Sequence, residues 1–181
     1  MSREHTTQTG TMVVVDVDHN PITGDDGAPF WEMLMIDDFS GKNHFLSNFF
    51  MAEVVYEGMT YPSSEHAYQA AKTLDNQERE RISQLLTPAL AKKAGKHVDL
   101  RADWEQVKIP IMTEIVRDKF VRHPELKQRL LDTGDALLVE GNWWHDTFWG
   151  VCNGRGRNYL GKILMQIRDE FYEQESNDAR P

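Results

Sequence analysis

The chain has 181 residues, 40% of them hydrophobic, and a formal net charge of -9. That length matches one ordinary domain, and the apolar content is enough to build a sizeable core without a disulfide scaffold. The acidic balance argues against broad electrostatic attraction to nucleic acid or anionic lipid, because both select for basic surfaces. An anionic ligand would therefore have to meet a local positive or backbone N–H site.

Cysteine content and hydropathy indicate a cellular compartment. Cys152 is the single cysteine, so it has no partner within the chain, and a lone thiol is more typical of a reducing compartment. Residues 1–10 are polar, and no run of about 18 apolar residues occurs anywhere. We therefore expect a cytoplasmic protein that neither enters the secretory route nor spans a membrane.

In chain order, we predict a polar leader at residues 1–30, one packed domain at 31–175 and a tail at 176–181. The valine-rich run at 12–15 makes the leader either a tail or a strand followed by a turn-rich connection. Residues 45–50 are rich in aromatics but follow no regular period. Residues 54–59 predict a short hairpin, with Glu57 and Gly58 at its turn.

Helices dominate the rest of the domain. Ser63 or Ser64 is placed to cap a helix that extends to about residue 74. Asp103 is placed to cap a long helix through Phe120, in which Pro110 predicts a kink or break because it lacks an N–H. The remaining elements are helices at about 77–86, 88–95, 124–131 and 158–171 and a strand at 136–140. The predicted class is a helix-dominated α+β domain with a few short strands.

The helix that begins at Ser64 carries an unusual set of polar side chains. Glu65, Tyr68, Gln69 and Lys72 are spaced i, i+3, i+4 and i+7, so they share one stripe about two turns long. A carboxylate, a phenol, an amide and an amine in one row are able to act on one substrate. The alternative is structural, since an acidic residue in a first turn also offsets the helix dipole.

Two further segments are candidates for binding. Residues 140–150 hold three tryptophans and two carboxylates, Glu140 and Asp146, and the aromatics fit either a core plug or a stacking platform for a flat base. Residues 150–158 form a Gly-rich turn before the last helix. Its arginines, Arg155 and Arg157, are available for phosphate, although the turn matches no standard phosphate loop.

Other chemistries lack a signature. The histidines form no His-x-x-x-His pair and have no thiolate companions, so we predict no metal site and no cofactor. Cys152 has no evident partner base in the sequence and fits a packing role. The sequence contains no Gly-x-Ser-x-Gly, no Walker loop and no dinucleotide fingerprint.

Six blocks together resemble the NADAR (YbiA-like) family in order and spacing, over residues 36–170. They are FLSNF at 45–49, YPSSEHAYQAAK at 61–72, WEQVK at 104–108, LVE at 138–140, FWG at 148–150 and NYLGKILM at 158–165. The resemblance implies a YbiA-like fold and cleavage of a bond between ribose C1 and a nitrogen. Family members act on ribosylamino-pyrimidine phosphates of the riboflavin pathway or remove ADP-ribose from modified guanine.

The resemblance also implies roles for single residues. Glu65 corresponds to the family's catalytic glutamate, Lys72 to its helix lysine, and Asp146 to a pocket residue; we predict that all three are catalytic. Trp104 and Trp149 also correspond to pocket residues, and Asn158 and Gly161 match the terminal block that shapes the pocket. The full set of predicted substrate-binding residues is Ser47, Asn48, Tyr68, Gln69, Trp104, Trp149, Gly150, Arg155 and Asn158. The implied partner is a phosphorylated ribosyl or ADP-ribosyl small molecule, or an ADP-ribosylated nucleic acid base, and no protein partner is inferred. Residues 141–147 depart from the family pattern beside the base pocket, which leaves the substrate open.

The chemistry of these side chains agrees with that reading. Breaking an N-glycosidic bond builds positive charge on the sugar, which the Glu65 carboxylate would stabilise while it activates water. Asp146 would donate a proton to the departing base if the surrounding aromatics raise its pKa. Alternatively, Lys72 would attack an opened sugar as a Schiff base. A second hypothesis is a module that binds ADP-ribose or a related nucleotide without cleaving it.

Overall fold

The computed structural model describes residues 35–178. The predicted leader and its valine-rich segment at 12–15 lie outside the described residues. Within the described range the chain contains a 3-10 helix at Gly41–Leu46, six α-helices and four short strands. The strands are β1 Met35–Ile36, β2 Met51–Tyr56, β3 Met59–Ser63 and β4 Leu137–Leu138. The helices are α1 Ser64–Ala70, α2 Asn76–Ser83, α3 Pro88–Ala94, α4 Trp104–Arg122, α5 Pro124–Leu131 and α6 Tyr159–Asp178.

The predicted hairpin is confirmed, with strands that extend beyond the predicted residues. Strands β2 and β3 pair antiparallel, with Tyr56 opposite Met59. The two turn residues, Glu57 and Gly58, both have positive φ, at 46° and 76°. Such a turn matches the right-handed twist of the paired strands. A second, parallel pair joins β1 to β4 across about a hundred residues of sequence.

The core lies where α4 and α6 pack with α1 and the hairpin. Ile115 and Phe120 of α4 and Leu164 and Ile167 of α6 have no exposed surface. The alanines of α1 are also fully buried, and their small side chains let neighbouring elements approach that helix closely. Helix α1 is therefore buried on its apolar sides by the core.

Pro110 does not break α4, which runs unbroken from Trp104 to Arg122. The predicted break is therefore wrong. Pro110 is exposed, and so is Gln106, whose carbonyl would have accepted the missing N–H, so water is able to satisfy that group. The turns that follow bury Ile111, Met112 and Ile115, and this packing holds the helix across the proline.

Several predicted boundaries also move. The strand predicted at 136–140 is paired only at Leu137–Leu138, since the N–H of Glu140 donates to the Asn158 side chain instead of to a neighbouring strand. Helix α1 ends at Ala70 and α2 at Ser83, earlier than predicted. Helix α6 continues to Asp178, so the first residues of the predicted tail are helical.

The helix-dominated α+β class is confirmed for the described residues. From Met35 to Asp178, no helix combines the length and the apolar character that a membrane crossing requires.

Candidate active site

A cavity of about 760 Å³ opens beside α1. Nine of the twelve predicted site residues line it, namely Ser47, Asn48, Glu65, Tyr68, Gln69, Lys72, Trp104, Asp146 and Trp149. They come from the segment after the 3-10 helix, from α1 and the turn after it, from the start of α4, and from the loop before α6. The polar stripe on α1 therefore faces this cavity.

Glu65 lies in the first turn of α1 and is only 6% exposed. The N-cap Ser63 accepts a hydrogen bond from the N–H of His66, which fixes the start of the helix. The amide of Gln69, one turn on, donates to Glu65 Oε1 at 2.8 Å. Burial raises the pKa of Glu65, whereas Gln69, Lys92 and Lys72 oppose that shift by favouring the charged form.

Aromatic rings form one wall of the cavity. The Tyr68 ring lies 5.1 Å from Trp104 and 5.4 Å from Trp149, centroid to centroid. Lys72 Nζ lies 5.6 Å from the Tyr68 centroid and 6.0 Å from that of Trp104. Burial lowers the pKa of Lys72, and the nearby Glu65 carboxylate acts in the opposite direction. The wall offers flat apolar faces with one amine beside them.

Asp146 is held by its own loop. Its Oδ1 accepts hydrogen bonds from the backbone N–H groups of Phe148 at 3.0 Å and Trp149 at 2.9 Å. The Asn142 side chain bonds to both the N–H and the carbonyl of Asp146. This oxygen therefore accepts two backbone hydrogen bonds, and the proton-donating role of Asp146 stays a prediction.

Glu140 is a cavity residue that the sequence analysis did not assign to the site. Its Oε2 is buried and has no hydrogen-bond partner among the described residues. Burial raises the pKa of Glu140 to about 7, and the negative charges of Asp146 and Glu65 add to the rise. Its signals in the sequence were the tryptophan-rich context and the LVE block at 138–140.

Two lysines were also missed. Lys92 of α3 lies 5.5 Å from the Phe49 ring and 5.8 Å from the Trp144 ring. Lys108 of α4 lies 4.1 Å from the Phe148 ring and donates to Glu105 at 2.6 Å. Both line the cavity. Neither belongs to a polar stripe like that of α1, and the one signal was the WEQVK block, which ends at Lys108.

Three predicted site residues do not line the cavity, and two of them shape its surroundings. The backbone of Gly150 lies against the carbonyl of Glu140, where a Cβ atom would clash. Asn158 Nδ2 donates to the Leu138 carbonyl at 2.9 Å and Oδ1 accepts from the Glu140 N–H at 3.0 Å. Arg155 is exposed in a tight turn with Cys152, so its substrate contact stays a prediction.

The three tryptophans of residues 140–150, predicted as a core plug or a stacking platform, differ in exposure. Trp149 is partly buried against Tyr68 and Phe148. Trp143 and Trp144 are 83% and 47% exposed and line the cavity mouth. The core-plug alternative is therefore wrong for Trp143 and Trp144.

A buried lysine braces the segment that carries Ser47 and Asn48. Lys119 Nζ donates to the carbonyl oxygens of Phe45 at 2.6 Å and Ser47 at 2.9 Å. The Asn48 carbonyl accepts from the N–H of Glu65 at 3.0 Å, which joins this segment to α1. Burial lowers the pKa of Lys119 to about 7. Among residues 35–178, no group of three or more His, Cys, Asp or Glu is arranged to hold a metal ion.

Known proteins resemble this chain in sequence and in structure. The NADAR domain family matches residues 33–172. The chain is 41% identical to N-glycosidase YbiA of Shigella flexneri serotype 5b over 128 residues, 69% of this chain and 79% of that protein. It is 39% identical to a riboflavin biosynthesis protein of Vibrio vulnificus over 136 residues, 73% of this chain and 37% of that protein.

A solved structure agrees with the sequence matches. The NMR structure of the E. coli protein YbiA superposes with a TM-score of 0.71 at 36% identity, covering 79% of this chain and 88% of that chain. The fold predicted from the resemblance is thereby confirmed. With the family match over most of the chain and the relatives' identities, the conclusion is that this chain belongs to the NADAR family.

Proposed function

We propose that this protein hydrolyses an N-glycosidic bond between a phosphorylated ribosyl group and a nitrogen base. The observation that carries the proposal is Glu65, a carboxylate buried in the cavity wall and oriented by the Gln69 amide. The similarity to proteins named N-glycosidase supports the same bond class. A structural reading of Glu65 is less favourable, because burying a carboxylate without a cationic partner costs stability.

The charge and shape of the cavity fit such a substrate. As the bond breaks, the sugar becomes positively charged, and the Glu65 carboxylate stabilises that charge and accepts a proton from the attacking water. Lys72, Lys92 and Lys108 supply positive charge for phosphate in a protein that is acidic as a whole. The faces of Trp104 and Trp149 suit a flat base.

Two routes for the sugar carbon are compatible with the cavity. In direct hydrolysis, water attacks C1 with help from Glu65. In the Schiff-base route, the neutral Lys72 amine attacks an opened sugar, and burial favours that neutral form. Borohydride added during turnover separates them, because only the second route leaves a reduced sugar adduct on Lys72, detectable by mass spectrometry.

The substrate is the finer part of the proposal. The resemblance implies two compounds, an ADP-ribosylated guanine and a ribosylamino-pyrimidine phosphate, and the riboflavin-related name of one relative supports the second. The purified protein should release free base and sugar phosphate from one of them in an end-point mass-spectrometric assay. We place this reaction in the cytoplasm, in keeping with the lone thiol.

The control is a matched pair of variants. Glu65→Gln should abolish turnover, whereas Glu80→Gln, an exposed glutamate on α2, should leave it unchanged. A folded Glu65→Gln protein with normal turnover would remove the catalytic assignment. Ligand bound but unchanged by the wild-type protein, with both compounds, would favour the non-catalytic nucleotide-binding module.

A further inference from the structure

We propose that Glu140, and not Asp146, is the residue that donates a proton to the departing base. This inference rests on the proposed N-glycosidase function and names a further catalytic group within it. It concerns the carboxyl group whose Oε2 is buried at the cavity without a partner.

Both backbone polar groups of Glu140, the N–H and the carbonyl, are hydrogen-bonded. Its N–H donates to Asn158 Oδ1 at 3.0 Å, and its carbonyl accepts from the Val151 N–H at 2.8 Å. The close approach of Gly150 covers the same peptide. These contacts hold the Cα of Glu140 in one position, so the reach of its side chain is defined. A proton donor in a defined reaction geometry requires this.

Burial raises the pKa of both cavity glutamates, and the two differ in the groups that oppose this rise. Glu65 accepts a hydrogen bond from Gln69 and lies near Lys72 and Lys92, all of which favour its charged form. For Glu140, Lys92 is the one nearby cation among the described residues that favours the charged form.

The acidic neighbours of Glu140 act in the other direction. Burial raises the pKa of Glu140 to about 7, and Asp146 and Glu65 add to that rise because both repel a negative charge on it. A carboxyl group that keeps its proton near neutral pH, beside a second one that accepts a hydrogen bond, is the arrangement that assigns an acid and a base.

Asp146 is less suited to the same task. Its Oδ1 already accepts hydrogen bonds from two backbone N–H groups, which hold the carboxyl group against its own loop. In the proposed step the C1–N bond breaks and its electron pair moves to the base nitrogen, which takes the proton from the Glu140 carboxyl group. Water adds to C1 and gives its proton to Glu65. Proton exchange with solvent then restores both groups, so atoms and charge balance.

The test compares kcat/KM across pH for wild type, Glu140→Gln and Glu140→Asp, using whichever of the two compounds the wild-type protein cleaves. Glu140→Gln should lower kcat/KM by about 10²–10⁴-fold, the usual contribution of a general acid. The wild-type profile should fall above pH about 7, the pH at which Glu140 ionises. This limb should be absent in Glu140→Gln and kept in Glu140→Asp, which retains a carboxyl group.

A structural role for Glu140 predicts a different result. If the role is structural, Glu140→Gln would have a lower kcat/KM, but kcat/KM would still fall above pH about 7. That outcome overturns the proposal. Unchanged activity of Glu140→Gln also overturns it. Glu53→Gln, an exposed glutamate of β2, is the matched control.

A second measurement does not depend on turnover. In a carboxyl-carbon NMR titration of the intact protein, one glutamate resonance that is lost in Glu140→Gln should titrate near pH 7. Titration of that resonance near pH 4.5 would also overturn the proposal. Inactivity of the wild type on both compounds is a separate outcome, since it contradicts the proposed function itself.

Discussion

The buried carboxyl groups at the cavity are in a setting that favours chemistry over stability. Glu65 is buried, as is Oε2 of the partly buried Glu140, and neither residue forms an ion pair within hydrogen-bonding distance among the described residues. Such groups destabilise the folded state when charged, because burial penalises ionisation. The sequence indicated Glu65 through its stripe on one helix, but the protonation of either residue depends on neighbours from other segments.

The first prediction concerns the stability of Glu65→Gln. The folded-state pKa of Glu65 lies above the unfolded value of about 4.5. Between these two pKa values the folded state therefore holds more protons than the unfolded state, and stability falls as pH rises. Wild-type stability that is present below the unfolded pKa is therefore lost over this range. Glu65→Gln has no such loss, so its Tm should exceed that of wild type by a margin that grows with pH.

Thermal unfolding of both proteins at pH 4 and pH 8 measures that margin. The Gln side chain keeps an oxygen that accepts from Gln69, so the local hydrogen bond is retained. A margin that shrinks as pH rises would contradict the assigned direction of the Glu65 pKa.

At the scale of elements, the contact between α1 and α3 positions the Glu65 side chain. Gly95, the C-cap of α3, packs directly against Gln69, the residue that donates to Glu65. An added Cβ at position 95 would overlap the Gln69 amide and lie 2.9 Å from its Cβ. The sequence predicted Gly95 as a helix end, but its close approach to Gln69 is a tertiary contact.

The second prediction is that Gly95→Ala weakens both fold and activity. Overpacking of this kind destabilises by about 1–3 kcal/mol, and the φ of -64° at position 95 suits alanine, so backbone strain does not contribute. Displacement of Gln69 should also lower turnover. Chemical denaturation and the turnover assay measure the two effects.

The double variant Gly95→Ala/Gln69→Ala serves as the control for that prediction. Removing the Gln69 amide removes the main overlap, so the second substitution should recover part of the stability that the first one loses. If the losses in free energy of unfolding from the two substitutions add up in the double variant, the overlap between position 95 and Gln69 does not cause the destabilisation.

At the scale of the whole molecule, helix α1 is tied to distant parts of the chain by buried polar groups. His66 Nδ1 lies 2.7 Å from Ser63 Oγ and Nε2 lies 3.1 Å from the Leu85 carbonyl, beyond the end of α2. With the proton on Nε2, the neutral ring donates to Leu85 and accepts from Ser63. Burial lowers the pKa of His66, because a charged ring is unfavourable there.

The third prediction follows from that shift. The folded pKa lies below the unfolded value of about 6.5, so below that pH the unfolded state binds more protons and the free energy of unfolding falls. The contribution is fully present above pH about 6.5 and is lost as pH falls through the folded pKa. The raised pKa values of Glu65 and Glu140 make stability fall as pH rises, which is the opposite dependence. Both residues should therefore be replaced by Gln to isolate the contribution of His66.

Urea unfolding of the Glu65→Gln/Glu140→Gln double variant between pH 5 and 7.5 gives the slope of the free energy of unfolding against pH. The same series with His66→Gln added should be flatter, although less stable overall because packing and hydrogen bonds change. An unchanged slope would show that His66 does not control the acid response.

The sequence by itself determined the features that depend on local spacing. The hairpin turn at Glu57 and Gly58 follows from local turn chemistry, and the shared face of Glu65, Tyr68, Gln69 and Lys72 from the helical period. The aromatic residues were recognisable as a cluster, but a count of tryptophans carries no information on which ring is exposed.

Only the tertiary structure decided which distant segments meet at the cavity. It added Lys92 and Glu140, placed Asn158 behind Glu140, and kept α4 continuous through Pro110. The physical reason is the range of the interactions: helical and turn periods act over a few residues, whereas burial, pKa and cavity shape depend on groups far apart in the chain.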